Sequence, residues 1–349
     1  MPQDTSSRLD HLDALRGVLI IQVVAIHALG YAALPAGTLR NAIDLVVSTI
    51  AVQGFYFVDG LLFARRVDRY GGPGAASYLA DSVRRLIWPW LLFSLGYAAA
   101  RSLAEHAGLV DATALSVGEW SPGWIVESIW WSHAAPHLYF LPSLFIIRCA
   151  AVAGWRLSRA PAWLIAAGAV GWLVLFREIL EPSYLRLVPH EGLDPLLHAL
   201  GGAGFFALGA AVWRHSGESR RLSAGLLAVL VAAAGLGSFG DQAVFNVAAQ
   251  LAYLIPLYEL FSRFGRSWTT LNGIGRRTMG IYLLHMPVVM KACIVMISRV
   301  VDPAGLAAYA LLVAASFAAA WAISLAIERI GLAGLIFGER ARPAMALQG

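Results

Sequence analysis

Long apolar runs alternate with short polar segments along almost the whole chain. Each run comes close to the roughly 20 residues that an α-helix needs to cross the hydrocarbon core of a bilayer. Backbone groups that face lipid must be hydrogen-bonded within their own segment, so the pattern predicts an all-α fold, a polytopic membrane helix bundle with about ten transmembrane helices. The predicted spans are 12–34, 41–64, 84–105, 134–154, 161–179, 196–214, 222–238, 243–262, 277–299 and 305–331.

The distribution of arginine predicts the orientation of the bundle. If the N-terminus lies inside the cell, most arginines fall in the cytoplasmic loops, at the helix ends beside them or in the tail. Loops rich in arginine remain on the cytoplasmic side of a membrane. We therefore predict that both termini are cytoplasmic, that residues 1–335 form a single transmembrane domain, and that residues 336–349 form a short cytoplasmic tail.

Composition narrows the class of protein. The chain has 349 residues, 59% of them hydrophobic and 13% charged, and its mean hydropathy is +0.67. Soluble domains contain about 45–50% apolar and about 25% charged residues, so a soluble enzyme and a disordered chain are both excluded. The net charge of +5 comes from loop arginines, so we expect the lipid bilayer, and no nucleic acid, as a partner. Arginine outnumbers lysine 25 to 1, which is typical of a GC-rich genome and favours the inner membrane of a bacterium.

Ionisable residues inside the predicted spans form two layers. Charged groups at membrane depth are costly and usually functional. Counting about 1.5 Å per residue along each helix places His285 between the two layers. The inner layer comprises Asp13, Arg16, Asp59, Arg84, Arg85 and Glu328, and the outer layer comprises His27, His133, His137 and Tyr139.

Several of these groups also have a purely structural interpretation. Arg16 could pair with Asp13 three residues away, and Asp59 and Glu328 could serve only as counter-ions. Arg84 and Arg85 could be positive anchors at a helix end. No further ligand accompanies His133 and His137, so we expect no metal site. His27 differs because it lies in a strongly apolar run, where a neutral imidazole is well suited to take a proton near neutral pH.

Several segments of the chain match a known motif order. His27 follows Arg16 after ten intervening residues, within a helix that begins with the run Arg8–Gly17. Together with the segments below, this resembles the acyltransferase 3 family of integral membrane O-acyltransferases over residues 8–330. The family usually has serine where this chain has Asp59. The other matching segments are Phe55–Leu62, Arg84–Pro89, His137–Leu141, Tyr282–Pro287 and the position of Glu328.

The resemblance implies transfer of an acyl group, often acetyl, from cytoplasmic acyl-CoA to a hydroxyl of a sugar or another cell-envelope or secreted acceptor. It implies no permanently bound cofactor, because acyl-CoA (acetyl-CoA) is a co-substrate. His27 is then the general base and Arg16 the second catalytic residue. The expected donor-binding residues are Arg84, Arg85, Asp59 and Glu328, with Asp59 holding Arg16 in place. The residues expected to bind the acceptor or the oxyanion are His137, Tyr139, Tyr282 and His285.

Two other classes of protein remain open at this point. A proton-coupled transporter or flippase of an envelope lipid or sugar also uses intramembrane histidine, aspartate and glutamate. Against it, the sequence has no paired repeat halves and no matching pair of broken helices. A catalytically silent membrane scaffold is the third interpretation.

Overall fold

The computed structural model describes residues 9–108, 122–187, 194–214 and 242–339. Within these ranges the chain forms helices and no strand, which confirms the all-α prediction. The α-helices in chain order are α1 Asp10–Tyr31, α2 Thr38–Ser48, α3 Ala51–Tyr70, α4 Ala75–Ser82, α5 Trp88–His106, α6 Pro122–Trp130, α7 Phe140–Ala153, α8 Ala162–Leu175, α9 Glu181–Leu187, α10 Pro195–Arg214, α11 Gln242–Phe264, α12 Thr269–Gly275, α13 Thr278–Leu284, α14 Met290–Ile297, α15 Leu306–Arg329 and α16 Ala333–Ile336.

Seven helical segments in the described ranges are long and apolar enough to cross a membrane, which supports a multi-pass membrane protein. Two further predicted spans coincide with α5 and α11, which have 19 and 23 residues and are not among the seven. The predicted span 222–238 lies outside the described residues. The count of ten spans and the orientation of the termini therefore remain predictions. The seven segments are Asp10–Tyr31, Thr38–Tyr70, Pro136–Ala153, Ala162–Arg186, Pro195–Arg214, Thr278–Ile297 and Leu306–Arg329.

Helix α1 runs through the middle of the bundle. Its residues Leu15, Leu19, Ile20 and Val24 are completely buried, and it packs against α2, α3, α11, α12, α13 and α15. A helix that is apolar on all sides lies either in lipid or among other helices, and the burial of α1 shows that it lies among other helices. The interior position of α1 brings both Arg16 and His27 inside the protein.

Close packing of α3 against α10 fixes the position of the polar residues on α3. A Cβ atom added to Gly60 would lie 1.9 Å from the carbonyl oxygen of Phe206, and one added to Gly209 would lie 2.0 Å from that of Phe57. Only glycine permits two helix backbones to approach this closely, a common device in membrane helices. Asp59, next to Gly60, is thereby held inside the bundle.

The first residues beyond 335, in the predicted tail 336–349, pack against the bundle. Phe337 is buried, and a Cβ atom on Gly338 would lie 1.9 Å from the carbonyl oxygen of Arg84. The indole N–H of Trp88 donates to the carbonyl oxygen of Leu335 at 2.6 Å. The first residues of the predicted tail are thus packed against the start of α5.

Candidate active site

Three histidines from distant parts of the sequence meet inside the bundle. His27 lies on α1, His137 in the 3-10 turn Pro136–Tyr139, and His285 at the start of the π turn His285–Val289. The ring centroids are 6.0 Å apart for His27 and His137, 5.0 Å for His27 and His285, and 5.1 Å for His137 and His285. Counting residues along the helices placed His285 between the two layers, whereas the structure places its ring against His27. We call these three residues the histidine cluster.

A break in the helix accompanies His285. Met286 has non-helical dihedral angles, φ −129° and ψ 159°, and Pro287 follows it. Proline has no N–H, so the carbonyl of Leu283, four residues earlier, loses its helical donor. The hydroxyl of Tyr97 donates to that carbonyl instead, at 2.6 Å. The Tyr-Leu-Leu-His-Met-Pro sequence thus ends one helix at His285 and ties that end to α5.

The position of His137 is set by its backbone. The hydroxyl of Tyr282 donates a hydrogen bond to the carbonyl oxygen of His137, and the two rings lie edge to face with centroids 5.3 Å apart. Neither ring nitrogen of His137 has a hydrogen-bond partner among the described residues, although the residue is buried. Buried polar atoms without partners are rare in folded proteins. The nitrogens of His137 are therefore free to contact a bound molecule.

A cavity of about 330 Å³, which we call the histidine cavity, borders the cluster. His27 and His137 line it, whereas His285 is not among its lining residues in the described part of the chain. Tyr139 also faces it, stacked on His198 with centroids 3.8 Å apart. The other polar residues lining the cavity are Ser48, Gln53, Tyr56, Arg177, Glu181, Gln250 and Tyr282.

A second cavity of about 170 Å³, the middle cavity, adjoins the first. Most of its wall is apolar, and one end carries charged groups. The two cavities have four lining residues in common, so these side chains lie at the boundary between them. The shared residues are Val23, Val52, Phe140 and Tyr282, and the charged ones are Arg16, Asp59, Arg85 and Arg148.

A third cavity of about 320 Å³, the arginine cavity, continues from the middle cavity. Asp59, Leu62, Arg85 and Arg148 line both. Burial raises the pKa of the Tyr78 hydroxyl, which keeps the side chain neutral. The other residues lining the arginine cavity are Phe63, Arg65, Arg66, Arg69, Tyr70, Tyr78 and Asp81.

A buried ion pair lies where the middle and arginine cavities meet. The Nε of Arg148 donates to one carboxylate oxygen of Asp59 at 2.8 Å and its Nη2 donates to the other, while Nη1 donates to the hydroxyl of Ser82 at 3.2 Å. The sequence analysis expected Asp59 to hold Arg16, whereas both carboxylate oxygens of Asp59 accept hydrogen bonds from Arg148. The bidentate partner of Asp59 is Arg148, and Arg16 lies 3.6 Å from Asp13 on its own helix.

Sequence reasoning overlooked Arg148. A signal for it exists, because this arginine interrupts the apolar run Phe140–Ala153. An ionisable residue inside a span is a functional candidate by default. If every ionisable residue inside a predicted span had been considered, Arg148 would have been included in the inner layer.

Comparison with known families gives this arrangement its context. A family model, Acyl_transf_3, described as an acyltransferase domain, matches residues 9–325. The chain belongs to the acyltransferase 3 family. No curated protein and no solved structure matches the chain. The matched region contains all three cavities and the whole histidine cluster, so family membership supports a membrane acyltransferase.

Two predicted donor-binding residues of this acyltransferase form ion pairs. Arg84 lies 3.1 Å from Asp81, and Glu328 accepts a hydrogen bond from Arg277 at 3.0 Å. Neither Arg84 nor Glu328 lines the three cavities as the described residues define them, whereas Arg85 lines two. Successive residues on a helix point in different directions, which accounts for the difference between Arg84 and its neighbour.

The four predicted acceptor or oxyanion residues of the acyltransferase differ in what they can do. His137, Tyr139 and Tyr282 all face the histidine cavity. The hydroxyl proton of Tyr282 is engaged with a backbone carbonyl, and His285 contacts His27. In the part of the chain that the structure describes, no group of three or more histidine, cysteine, aspartate or glutamate side chains could hold a metal ion.

Proposed function

We propose that this protein is an O-acyltransferase of the bacterial inner membrane. It transfers an acyl group, acetyl in the simplest case, from cytoplasmic acyl-CoA to a hydroxyl of a sugar or another envelope or secreted acceptor. The observation that carries the proposal is the row of three adjoining cavities, with arginines at one end and the histidine cluster at the other.

The arginine cavity suits the phosphate groups of acyl-CoA. A guanidinium presents two parallel N–H donors that match the oxygens of a phosphate. Arg65, Arg66, Arg69 and Arg85 line this cavity together. In the proposed complex they hold the nucleotide end of the donor at the cytoplasmic side, and the thioester arm enters the largely apolar middle cavity beyond them.

The hydrogen bonds of His27 assign its catalytic nitrogen. Its Nδ1 lies 2.8 Å from the carbonyl oxygen of Val23. A carbonyl can only accept a hydrogen bond, so in the neutral ring Nδ1 carries the proton and Nε2 carries the lone pair. Nε2 is thus the nitrogen that can act as a base toward a molecule in the histidine cavity.

The reaction then proceeds by direct transfer. The Nε2 of His27 takes the proton of the acceptor hydroxyl while the oxygen attacks the thioester carbonyl carbon. The tetrahedral intermediate collapses as the carbon–sulfur bond breaks, and the protonated His27 returns the proton to the leaving CoA thiolate. The products are the acyl ester and free CoA, and the enzyme is regenerated. General base catalysis of this kind contributes about 10²–10⁴-fold to the rate.

His137 is the best-placed donor to the oxyanion of the intermediate. It lines the histidine cavity, and its ring nitrogens have no partner among the described residues. A neutral imidazole always carries one N–H, which can be directed at an oxyanion. Because the Tyr282 hydroxyl already donates to the backbone of His137, Tyr282 holds the turn in place in this mechanism.

The histidine cavity suits an acceptor with several hydroxyl groups. Amide and hydroxyl groups of Gln53, Tyr56 and Gln250 line it together with several aromatic rings. Sites of this kind orient a small ligand with a few polar contacts inside a mainly apolar wall. The paired side chains of Arg177 and Glu181, 2.8 Å apart, add charged contacts for the acceptor.

The decisive experiment uses the full-length protein in lipid nanodiscs with labelled acetyl-CoA and a panel of sugars and polyols. We expect labelled ester in the wild type and a loss of about 100-fold or more in the His27→Ala variant. His106→Ala is the matched control, because the exposed His106 lies 2.8 Å from the carbonyl oxygen of Ser102 in its own helix and lines none of the three cavities as the described residues define them. This variant should retain full activity. Wild-type turnover by His27→Ala would refute the assigned base. Acceptor transport in proteoliposomes without modification would instead establish a transporter.

A further inference from the structure

The proton positions in the pair His27 and His285 are fixed by their surroundings. The Nδ1 of His285 lies 2.7 Å from the carbonyl oxygen of Tyr282 and 3.2 Å from that of Ile281. Both oxygens can only accept, so the Nδ1 of His285 carries its proton and the Nε2 carries a lone pair. That lone pair lies 3.1 Å from the Nδ1 of His27, which is the nitrogen already assigned a proton by Val23.

The N–H of His27 is therefore shared between two acceptors, the Val23 carbonyl and the Nε2 of His285. Among the described residues, the Nε2 of His27 is the one nitrogen of this pair with no hydrogen bond assigned to it, and His27 lines the histidine cavity. His285 is completely buried and does not line that cavity among the described residues. His285 is thus placed to act on His27 and not on a substrate.

We infer that His285 is a positioning residue: its Nε2 accepts the N–H of His27, keeps the Nε2 of His27 free as the base, and stabilises the imidazolium that forms during transfer. This inference rests on the proposed function of His27. The role corresponds to that of the third group in a catalytic triad, which orients the histidine base through its other nitrogen. Here a neutral imidazole, itself held by two backbone carbonyls, fills that position.

The first test is spectroscopic and does not depend on turnover. Nitrogen-15 NMR of the histidine-labelled protein in nanodiscs reports which ring nitrogen carries the proton, and the spectra of His27→Ala and His285→Gln assign the two residues. We expect both rings to be protonated at Nδ1. A His285 ring protonated at Nε2 would overturn the inference, because that nitrogen could then not accept from His27.

The second test is kinetic and uses two substitutions at the same position. Glutamine can place its Oε1 near the position of Nε2 and accept the same hydrogen bond, whereas leucine cannot. We expect His285→Leu to lower kcat by about 10- to 100-fold, with KM for acetyl-CoA and acceptor within about twofold. His285→Gln should recover most of that loss. Met290→Leu, at a fully buried position in the next helix, controls for repacking and should leave kcat unchanged.

The outcomes separate the inference from the proposed function. A His285→Leu protein with wild-type kcat, or a folded His285→Gln protein as impaired as His285→Leu, overturns the positioning role. If His285→Leu does not fold, the glutamine variant and the wild-type spectrum still test the positioning role of His285. Unchanged turnover in His27→Ala refutes the proposed base. The NMR assignment of the His285 proton does not depend on that result.

Discussion

Asp59 on α3 and Arg148 on α7 are 89 residues apart in the sequence and form a two-point ion pair where the middle and arginine cavities meet. The guanidinium also lies 5.5 Å above the ring of Tyr78 and reaches the hydroxyl of Ser82. The pair therefore connects α3, α4 and α7 at the point that a donor would pass on its way into the middle cavity in the proposed complex.

Replacing Asp59 with serine, the usual residue in the family, should destabilise this protein. The substitution leaves the Arg148 guanidinium buried without its carboxylate, and breaking a buried pair costs about 3–5 kcal/mol. The free energy of unfolding in mixed micelles measures the loss. The double variant Asp59→Ser/Arg148→Met should recover much of it, since neither charge then remains unpaired. Single variants as stable as the wild type would show that the pair contributes nothing to folding.

Adjacent arginines should differ in their effect on donor binding. Arg85 lines both the middle and the arginine cavity, whereas Arg84 lies beside Asp81. A hydrogen bond to a charged group is worth about 1.5–3 kcal/mol, so Arg85→Gln should raise KM for acyl-CoA by roughly 10- to 100-fold. Arg84→Gln is the matched control, with an expected change below about threefold. Initial rates at varied donor concentration test both, and equal effects would contradict the assigned donor path.

His137 and Tyr282 should affect catalysis to different degrees. If His137 binds the oxyanion, His137→Ala should lower kcat by about 10²–10³-fold with little change in acceptor KM. Tyr282→Phe removes only the hydrogen bond to the His137 backbone, worth about 1 kcal/mol, so its loss should stay below about tenfold. Steady-state kinetics with saturating donor separate the two variants. A larger defect in Tyr282→Phe would make the tyrosine hydroxyl the better oxyanion donor.

The packing of α3 on α10 should not tolerate even a methyl group at Gly60. A Cβ atom there would lie 1.9 Å from the carbonyl oxygen of Phe206, and a backbone oxygen cannot move aside without displacing its helix. We expect Gly60→Ala to lower the melting temperature strongly or to prevent folding. Gly96→Ala, where a Cβ atom meets nothing within 4 Å, should be neutral or stabilising by up to about 1 kcal/mol. A thermal shift assay compares the two, and equal melting temperatures would contradict the close approach.

Much of the fold follows from the apolar pattern. Each run has the length of a membrane span, and the hydrogen bonds that its backbone groups need in lipid leave few alternatives to a helix. The resemblance likewise assigned His285 to the site, as a residue expected to bind the acceptor or the oxyanion. The depth of His285 could not be obtained by counting, since the count treats each helix as straight, upright and starting at the membrane surface. Helix α12 precedes α13 and packs against α1 close to Asp13, so α13 begins inside the bundle and not at the membrane surface.

Ion-pair partners were harder to predict than helices. Asp59 has Arg16, Arg85 and Arg148 around the same cavity, and the sequence does not reveal which guanidinium its carboxylate contacts. The choice depends on the close approach of helices that glycines such as Gly60 permit, and on the rotation of α7. Glu328 and Arg277 provide a second example, since both lie near the ends of their helices and 51 residues apart in the sequence.

The side chains of Val23, Val52, Phe140 and Tyr282, which line both the histidine and the middle cavity, form a wall between these two cavities. This wall gives the proposed reaction a direction across the membrane. Donor and acceptor would occupy compartments on opposite sides of this wall, and neither substrate would need to pass through it. Only a small acyl fragment would change sides, carried by bond exchange at the wall itself. An enzyme built in this way could modify molecules outside the cell with a metabolite that never leaves the cytoplasm.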